Sequence, residues 1–186
     1  MEQVTMEKTV NEQRDPLPMR SIVVVCSWHH KNTEKIARSI ATVLGAEVKM
    51  PREIRPVALG DYDLAGFGSG IYGAQNHESL LDLADTLPHA DGRKAFIFST
   101  YGAPEALYKG ERLREFIRDN HAALREKLQS RGYTVIGEFA CPGLNTNSFL
   151  KYFGGLNKGR PDAEDLRHAE EFAENLKRFT RIEKTD

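Results

Sequence analysis

Cysteine is scarce in this chain: Cys26 and Cys141 are the only two in 186 residues. That excludes a scaffold built on disulfides. Long apolar runs are missing as well. The stretch 21–26 is among the longest, far short of the ~20 residues that span a bilayer. A strong charge of either sign is lacking too. The formal net charge is -1, so no global field draws the chain to nucleic acid or to an anionic membrane. No Gly-Lys-Ser or Gly-Lys-Thr occurs, which removes the Walker loop. Neither Ser69 nor Ser99 stands in a Gly-x-Ser-x-Gly elbow, and no Ser-His-Asp arrangement can be traced. His29 and His30 are adjacent but lack Cys-x-x-Cys or His-x-x-x-His company, so no metal site is expected.

What is present is ordinary in bulk: 40% hydrophobic and 28% charged residues, the composition of a globular domain. The length suits one domain with a real core. Residues 1–19 mix Glu, Lys, Arg, Asn and Gln with two prolines and lack the apolar centre of a signal peptide. The expectation is a flexible arm over 1–19, a domain over 20–180, a short tail over 181–186, and a cytoplasmic location.

Residues 22–25 are Ile-Val-Val-Val, a continuous apolar run of the kind buried on both faces of a parallel sheet. Ile36, Ile40, Val43 and Leu44 then recur at helical spacing, with Gly45 as a stop. Further strands are predicted over 46–50, 63–68, 94–99 and 133–141. Helices are predicted over 77–87, over the long stretch 106–130, and over 162–178. Leu113, Phe116, Ile117, Leu124 and Leu128 would form the inner face of the long one. Strands alternating with helices imply a parallel sheet covered on both faces. Ligands of such sheets bind beyond the carboxyl ends of the strands. There the chain places its polar and glycine-rich segments: 27–33, 69–73, 99–102 and 142–147.

The segment Ser27-Trp28-His29-His30-Lys31-Asn32-Thr33-Glu34 joins a buried strand to a helix. The first turn of a helix presents unpaired N–H groups and the positive end of its dipole. Ser27, Asn32 and Thr33 add short donors, and His30 and Lys31 add positive charge. These residue types suit a phosphate ester. The competing reading is that Asn32 or Thr33 caps the helix.

Asn32-Thr33-Glu34, after a hydroxyl-bearing turn, resembles the phosphate loop of flavodoxins. Tyr72 after Gly68-Ser69-Gly70, and Thr100-Tyr101-Gly102 after a strand, are similar to the two loops that hold the flavin ring in that family. The segment Gly155-Leu156-Asn157-Lys158-Gly159-Arg160-Pro161 also resembles flavodoxin-like members. The likeness covers roughly residues 21–178. It implies a three-layer, doubly wound, five-stranded parallel sheet in the order 2-1-3-4-5. It implies FMN as cofactor, held by Ser27, His29, His30, Lys31, Asn32 and Thr33 at the phosphate. Ser69, Gly70, Ile71 and Tyr72 would meet the ring from one loop, and Ser99, Thr100, Tyr101 and Gly102 from the other. The family's loop usually carries Gly at the place of Lys31 and Ser or Thr at those of His29 and His30, so this loop is atypical and more cationic.

In that strand order the two cysteine-bearing strands lie three positions apart, about 14 Å at ~4.8 Å per position. A disulfide needs Cα atoms within about 7 Å, so both thiols are expected free. Trp28 is read either as a shield for the flavin or as cover for a surface edge, and Asn145, Thr146 and Asn147 as a turn or a closing loop. The resemblance implies an FMN-dependent oxidoreductase, either an electron carrier or a small reductase. Its partner would be a redox protein or a small electron acceptor. The alternative is a non-catalytic module binding another phosphorylated ligand or a protein. A homodimer contact is compatible with the aromatic residues.

Overall fold

The computed structural model describes residues 19–182, without the side chains of Ser148, Phe149, Phe153, Arg181 and Ile182. The expected arm up to residue 18 and the last four residues lie outside the described residues.

Strand β1 (Ser21–Cys26) is buried along its whole length. Its side chains alternate between two cores, as the two-residue period of a strand requires. Ile22, Val24 and Cys26 join one, Val23 and Val25 the other. Helix α1 (Asn32–Leu44) follows and stops at Gly45, whose φ of 64° lies in the left-handed region. Its buried stripe is Ile36, Ala37, Ile40, Ala41 and Leu44, with Val43 only partly buried. Strand β2 (Glu47–Lys49) is short. Strand β3 (Leu64–Tyr72) lies beyond two 3-10 turns. After a tight turn, β4 (Gln75–Asn76) pairs back on β3. Helix α2 (Glu78–Thr86), β5 (Lys94–Tyr101), α3 (Glu111–Asn120), α4 (Ala122–Ser130), β6 (Thr134–Pro142) and α5 (Ala163–Ile182) complete the order.

The sheet order is β2-β1-β3-β5-β6, all parallel, with β4 antiparallel to the end of β3. The five parallel strands therefore stand in the order expected from the sequence. The two-residue β4 is an addition. Ile36 and Ile40 of α1 share a core with Ala169, Ala173 and Leu176 of α5. Leu80 and Ala84 of α2 share the opposite core with Leu124 and Leu128 of α4. Two helical layers thus enclose the sheet.

Three elements differ from expectation. Strand β3 does not end at Gly68 but runs on to Tyr72. Its glycines serve packing: a Cβ on Gly66 would sit 2.1 Å from the ring of Phe96, and one on Gly68 2.2 Å from that of Phe98. The Gly-x-Gly spacing of β3 thus receives the Phe-x-Phe of β5, its hydrogen-bonded neighbour. Strand β5 likewise continues to Tyr101. The long helix of 106–130 is broken at His121 into α3 and α4. Leu124 and Leu128 are buried, but no residue of α3 is, so Leu113, Phe116 and Ile117 do not form a core face.

Candidate functional site

At the carboxyl ends of the parallel strands lies a cleft of about 440 Å³, within the usual range for small-molecule sites. Its walls come from the turn after β1, the β3–β4 hairpin, and the segments after β5 and β6.

The turn after β1 places His30 and Lys31 consecutively in the left-handed region, at φ 55° and 54°. A non-glycine residue resists that conformation by roughly 1–2 kcal/mol. Lys31 is the N-cap of α1, and no side chain caps that helix end. The capping reading of Asn32 and Thr33 is thereby overturned: both lie inside the helix, and their side chains turn elsewhere. Asn32 Nδ2 donates to the carbonyl of Leu144 at 2.9 Å. The Thr33 and Thr100 hydroxyls lie 2.8 Å apart. Asn32 Oδ1 is buried with no hydrogen-bond partner.

Of the residues expected at the site, Ser27, His29, His30, Asn32 and Thr33 line the cleft. So do Gly70, Ile71, Tyr72, Thr100, Tyr101 and Gly102. Lys31, Ser69 and Ser99 are not among its walls. The Lys31 side chain is exposed and 3.7 Å from Glu34. Ser69 Oγ donates to the carbonyl of Gly70 and accepts from the His77 N–H, which ties the hairpin to the start of α2. Tyr101 lines the cleft, yet it is buried among rings, 5.3 Å from Tyr108 and 4.9 Å from Phe116 between centroids. Burial pushes its phenol above the ordinary range. Tyr72 is half-buried and is also raised by burial.

The sequence reading underrated the segment after β6. Gly143, Leu144, Asn145, Thr146 and Asn147 all line the cleft. Asn145 Nδ2 donates to the Gly102 carbonyl at 3.0 Å, and His30 Nε2 lies 2.7 Å from Thr146 Oγ1. Asn157, itself left-handed at φ 54°, donates to the carbonyl of Ala103 and accepts from the Glu105 N–H. These amides tie the turns after β1, β5 and β6 into one rim. Phe116 and Asn120 of α3 also reach the cleft. Their sequence spacing carried no such signal.

A constellation that the sequence hid lies beside Thr100. His121, at the break between α3 and α4, is fully buried. Its Nε2 is 2.8 Å from Ser99 Oγ, and its Nδ1 is 3.1 Å from Glu138 Oε2. Arg125 binds both oxygens of Glu138, at 2.5 and 2.9 Å. Burial alone would raise the Glu138 carboxyl, but the hydrogen bonds from Arg125 and His121 outweigh it and hold it at about 2. A serine, a histidine and a carboxylate do meet here, contrary to the sequence reading. They do so in the interior: Ser99 is fully buried and outside the cleft walls. The arrangement anchors the end of β5 to β6 and α4.

Both cysteines are buried and free. Cys26 Sγ accepts the indole N–H of Trp28 at 3.0 Å. Burial drives the Cys141 thiol up, which keeps it protonated. Among the described residues, no helix is long and apolar enough to cross a membrane.

A scan against family models gives no match. A curated relative, the "uncharacterized protein MJ0298" of Methanocaldococcus jannaschii, is 41% identical over 159 residues, covering 85% of this chain and 98% of the relative. This chain belongs to the family of that archaeal protein. Among solved structures, a flavodoxin from the domain Archaea superposes with a TM-score of 0.61 at 16% identity, covering 88% of this chain and 99% of that one. Oxidised Flavodoxin 2 from Bacillus cereus gives 0.59 at 19% identity, covering 89% and 99%. The flavodoxin of Streptococcus pneumonia gives 0.58 at 17%, covering 84% and 97%. The fold is that of the flavodoxins, and the family is a flavodoxin-fold family.

Proposed function

We propose that the cleft binds FMN and that the protein is a flavin-dependent redox protein, an electron carrier or a small reductase. The observation that carries this reading is the uncapped N-terminus of α1, which opens on a cleft walled by the turn after β1. An anion such as the FMN phosphate completes that helix end. His29 and His30 stand beside it on the cleft wall, and their imidazoles add donors. Asn32 Oδ1, buried without a partner, is an acceptor that a ribityl hydroxyl can satisfy. Tyr72 would meet the ring from the β3–β4 hairpin, and the backbone of Thr100 and Gly102 from the other side. Bound flavin takes up electrons singly or in pairs, while the protein supplies position and electrostatics.

A second reading keeps the phosphate and drops the flavin. It is favoured by Tyr101, whose ring is engaged by Tyr108 and Phe116 and so is less free to stack on a ligand. The cleft would then take another phosphorylated molecule.

The visible spectrum of the purified chain, with and without added FMN, separates the two. Saturable quenching of FMN fluorescence supports the first; no quenching removes it. The phosphate is tested by Thr33→Ala together with Lys31→Glu, which removes a hydroxyl from the cleft wall and reverses the charge at the N-cap. We expect FMN to weaken at least tenfold and riboflavin less than twofold. Equal weakening of both would show that the phosphate does not rest at this helix end.

A further inference from the structure

A second recess of about 380 Å³ adjoins the main cleft and shares His29 and Tyr72 with it. Its other walls are Trp28, Gln75, Asn76, His77 and Glu78. Aromatic rings dominate these walls. The centroids of Trp28 and His77 lie 6.2 Å apart, and those of Tyr72 and His77 lie 5.6 Å apart in an edge-to-face contact. Trp28 is 65% exposed, the treatment a buried-core aromatic does not receive. It is nonetheless held in place, because its indole N–H donates to Cys26 Sγ. His77 Nδ1 accepts the N–H of Ser79 as the cap of α2. Nδ1 also lies 2.9 Å from Ser79 Oγ, so that side of the ring is turned to the helix start. Glu78 is the one acidic side chain on the recess wall.

Ring faces beside a carboxylate select a cation. An aromatic face attracts positive charge through its quadrupole, and the effect is strongest for indole. A flat cation can lie face to face on the exposed indole of Trp28, whereas a tetrahedral one meets it only through its substituents. We propose that this recess binds a cationic heteroaromatic ring of the N-alkylpyridinium class, held against Trp28 and Tyr72 with Glu78 as its counter-ion. The recess shares Tyr72 and His29 with the proposed flavin site, while Trp28, His77 and Glu78 stand outside the main cleft, so the recess can be occupied without flavin. Where both ligands are present, the ring lies at the border formed by Tyr72 and His29.

The chain holds a single tryptophan, so one indole N–H resonance reports on the recess. The full chain is titrated at pH 8 with 1-methylnicotinamide, benzamide, benzoate and tetramethylammonium, following that resonance by NMR. The expected result is a saturable shift with 1-methylnicotinamide, at least fivefold tighter than with benzamide or benzoate. Benzoate binding as tightly would overturn the role of charge, and tetramethylammonium binding as tightly would overturn the role of the planar ring. Shifts at Thr100 and Gly102 in place of Trp28 would move the ligand to the main cleft and overturn the site. Glu78→Gln lies on the exposed first turn of α2 and should weaken 1-methylnicotinamide at least fivefold, with benzamide unchanged. Unchanged binding of the cation in that variant would also overturn the proposal. A chain that takes no FMN but gives the expected shifts upholds the recess and removes only the flavin reading.

Discussion

Helices α1, α2 and α5 all begin at the carboxyl end of the sheet's strands, and the protein treats their N-termini differently. The start of α5 is closed by its own side chains. Asp162 Oδ1 accepts from the N–H groups of Glu164 and Asp165, and the Asp165 carboxylate accepts from the Asp162 N–H. That of α2 is closed by His77. That of α1 has no side-chain cap, and the two residues before it stand in a strained, left-handed turn. A chain able to cap two helix ends leaves the third open where the cleft lies. The starts of α3 and α4 also lack a side-chain cap, so what sets α1 apart is the cleft onto which its end opens, and under the proposed function an anion completes it.

The interior beneath Thr100 offers the same contrast from the opposite direction, for there Ser99, His121, Arg125 and Glu138 are closed on one another. The largest effect is expected from Glu138→Ala, which leaves His121 and Arg125 without their partner. Breaking such a pair costs about 3 kcal/mol, read as a lower midpoint in urea unfolding. An unchanged midpoint would show that the network does not anchor β5. Next comes Asp162→Ala. Loss of a cap costs about 1 kcal/mol, a Tm lower by about 3 °C for a chain of this size. FMN titrations should be unaffected, because Asp162 is not on the cleft wall. A matching loss of FMN affinity would merge the two helix ends that the structure separates.

A third effect is set by pH. The folded Glu138 carboxyl sits at about 2, below its ordinary value of 4.5. Its contribution is therefore complete above pH 4.5 and lost as the pH falls toward 2. Thermal unfolding followed through this window should show Tm falling, and Glu138→Gln should flatten that fall. An equally steep fall in the variant would assign the acid sensitivity to other carboxylates. The smallest effect is expected at the open helix end. Lys31→Gly relieves a left-handed side chain and should stabilise the ligand-free chain by about 0.5–1 kcal/mol, seen as a Tm higher by about 2 °C. A lower Tm would mean that the Lys31 side chain, with its Glu34 contact, outweighs the strain.

Much of this was legible in the chain. The Ile-Val-Val-Val run marked β1, and the stripe of Ile36, Ile40 and Leu44 marked α1 with Gly45 as its end. Their alternation with later elements led to the parallel sheet, because a strand with both faces buried and a helix with one apolar stripe have few ways to pack. The segments of the cleft could be placed because ligands collect at the strands' carboxyl ends. The asparagines of the rim were less visible, since Asn145 and Asn157 look like ordinary turn residues until their amides meet carbonyls 43 and 54 residues away.

The sequence by itself determined the layers and set the polar turn after β1 at the carboxyl end of a buried strand, and the free state of both thiols followed once the resemblance supplied the strand order. Tertiary structure decided the rest. Gly68, read alone as the strand's end, became with Gly66 a socket for the rings of Phe98 and Phe96, and β3 ran on to Tyr72. The helix predicted through 106–130 broke at His121, whose ring bridges Ser99 and Glu138 in the interior. Ser69 and Ser99 were assigned to the ligand by resemblance and Lys31 by its charge, and none of the three side chains stands on the cleft wall. A side chain's chemistry is local, but its partner is chosen by whatever the fold brings within 3 Å or so of it.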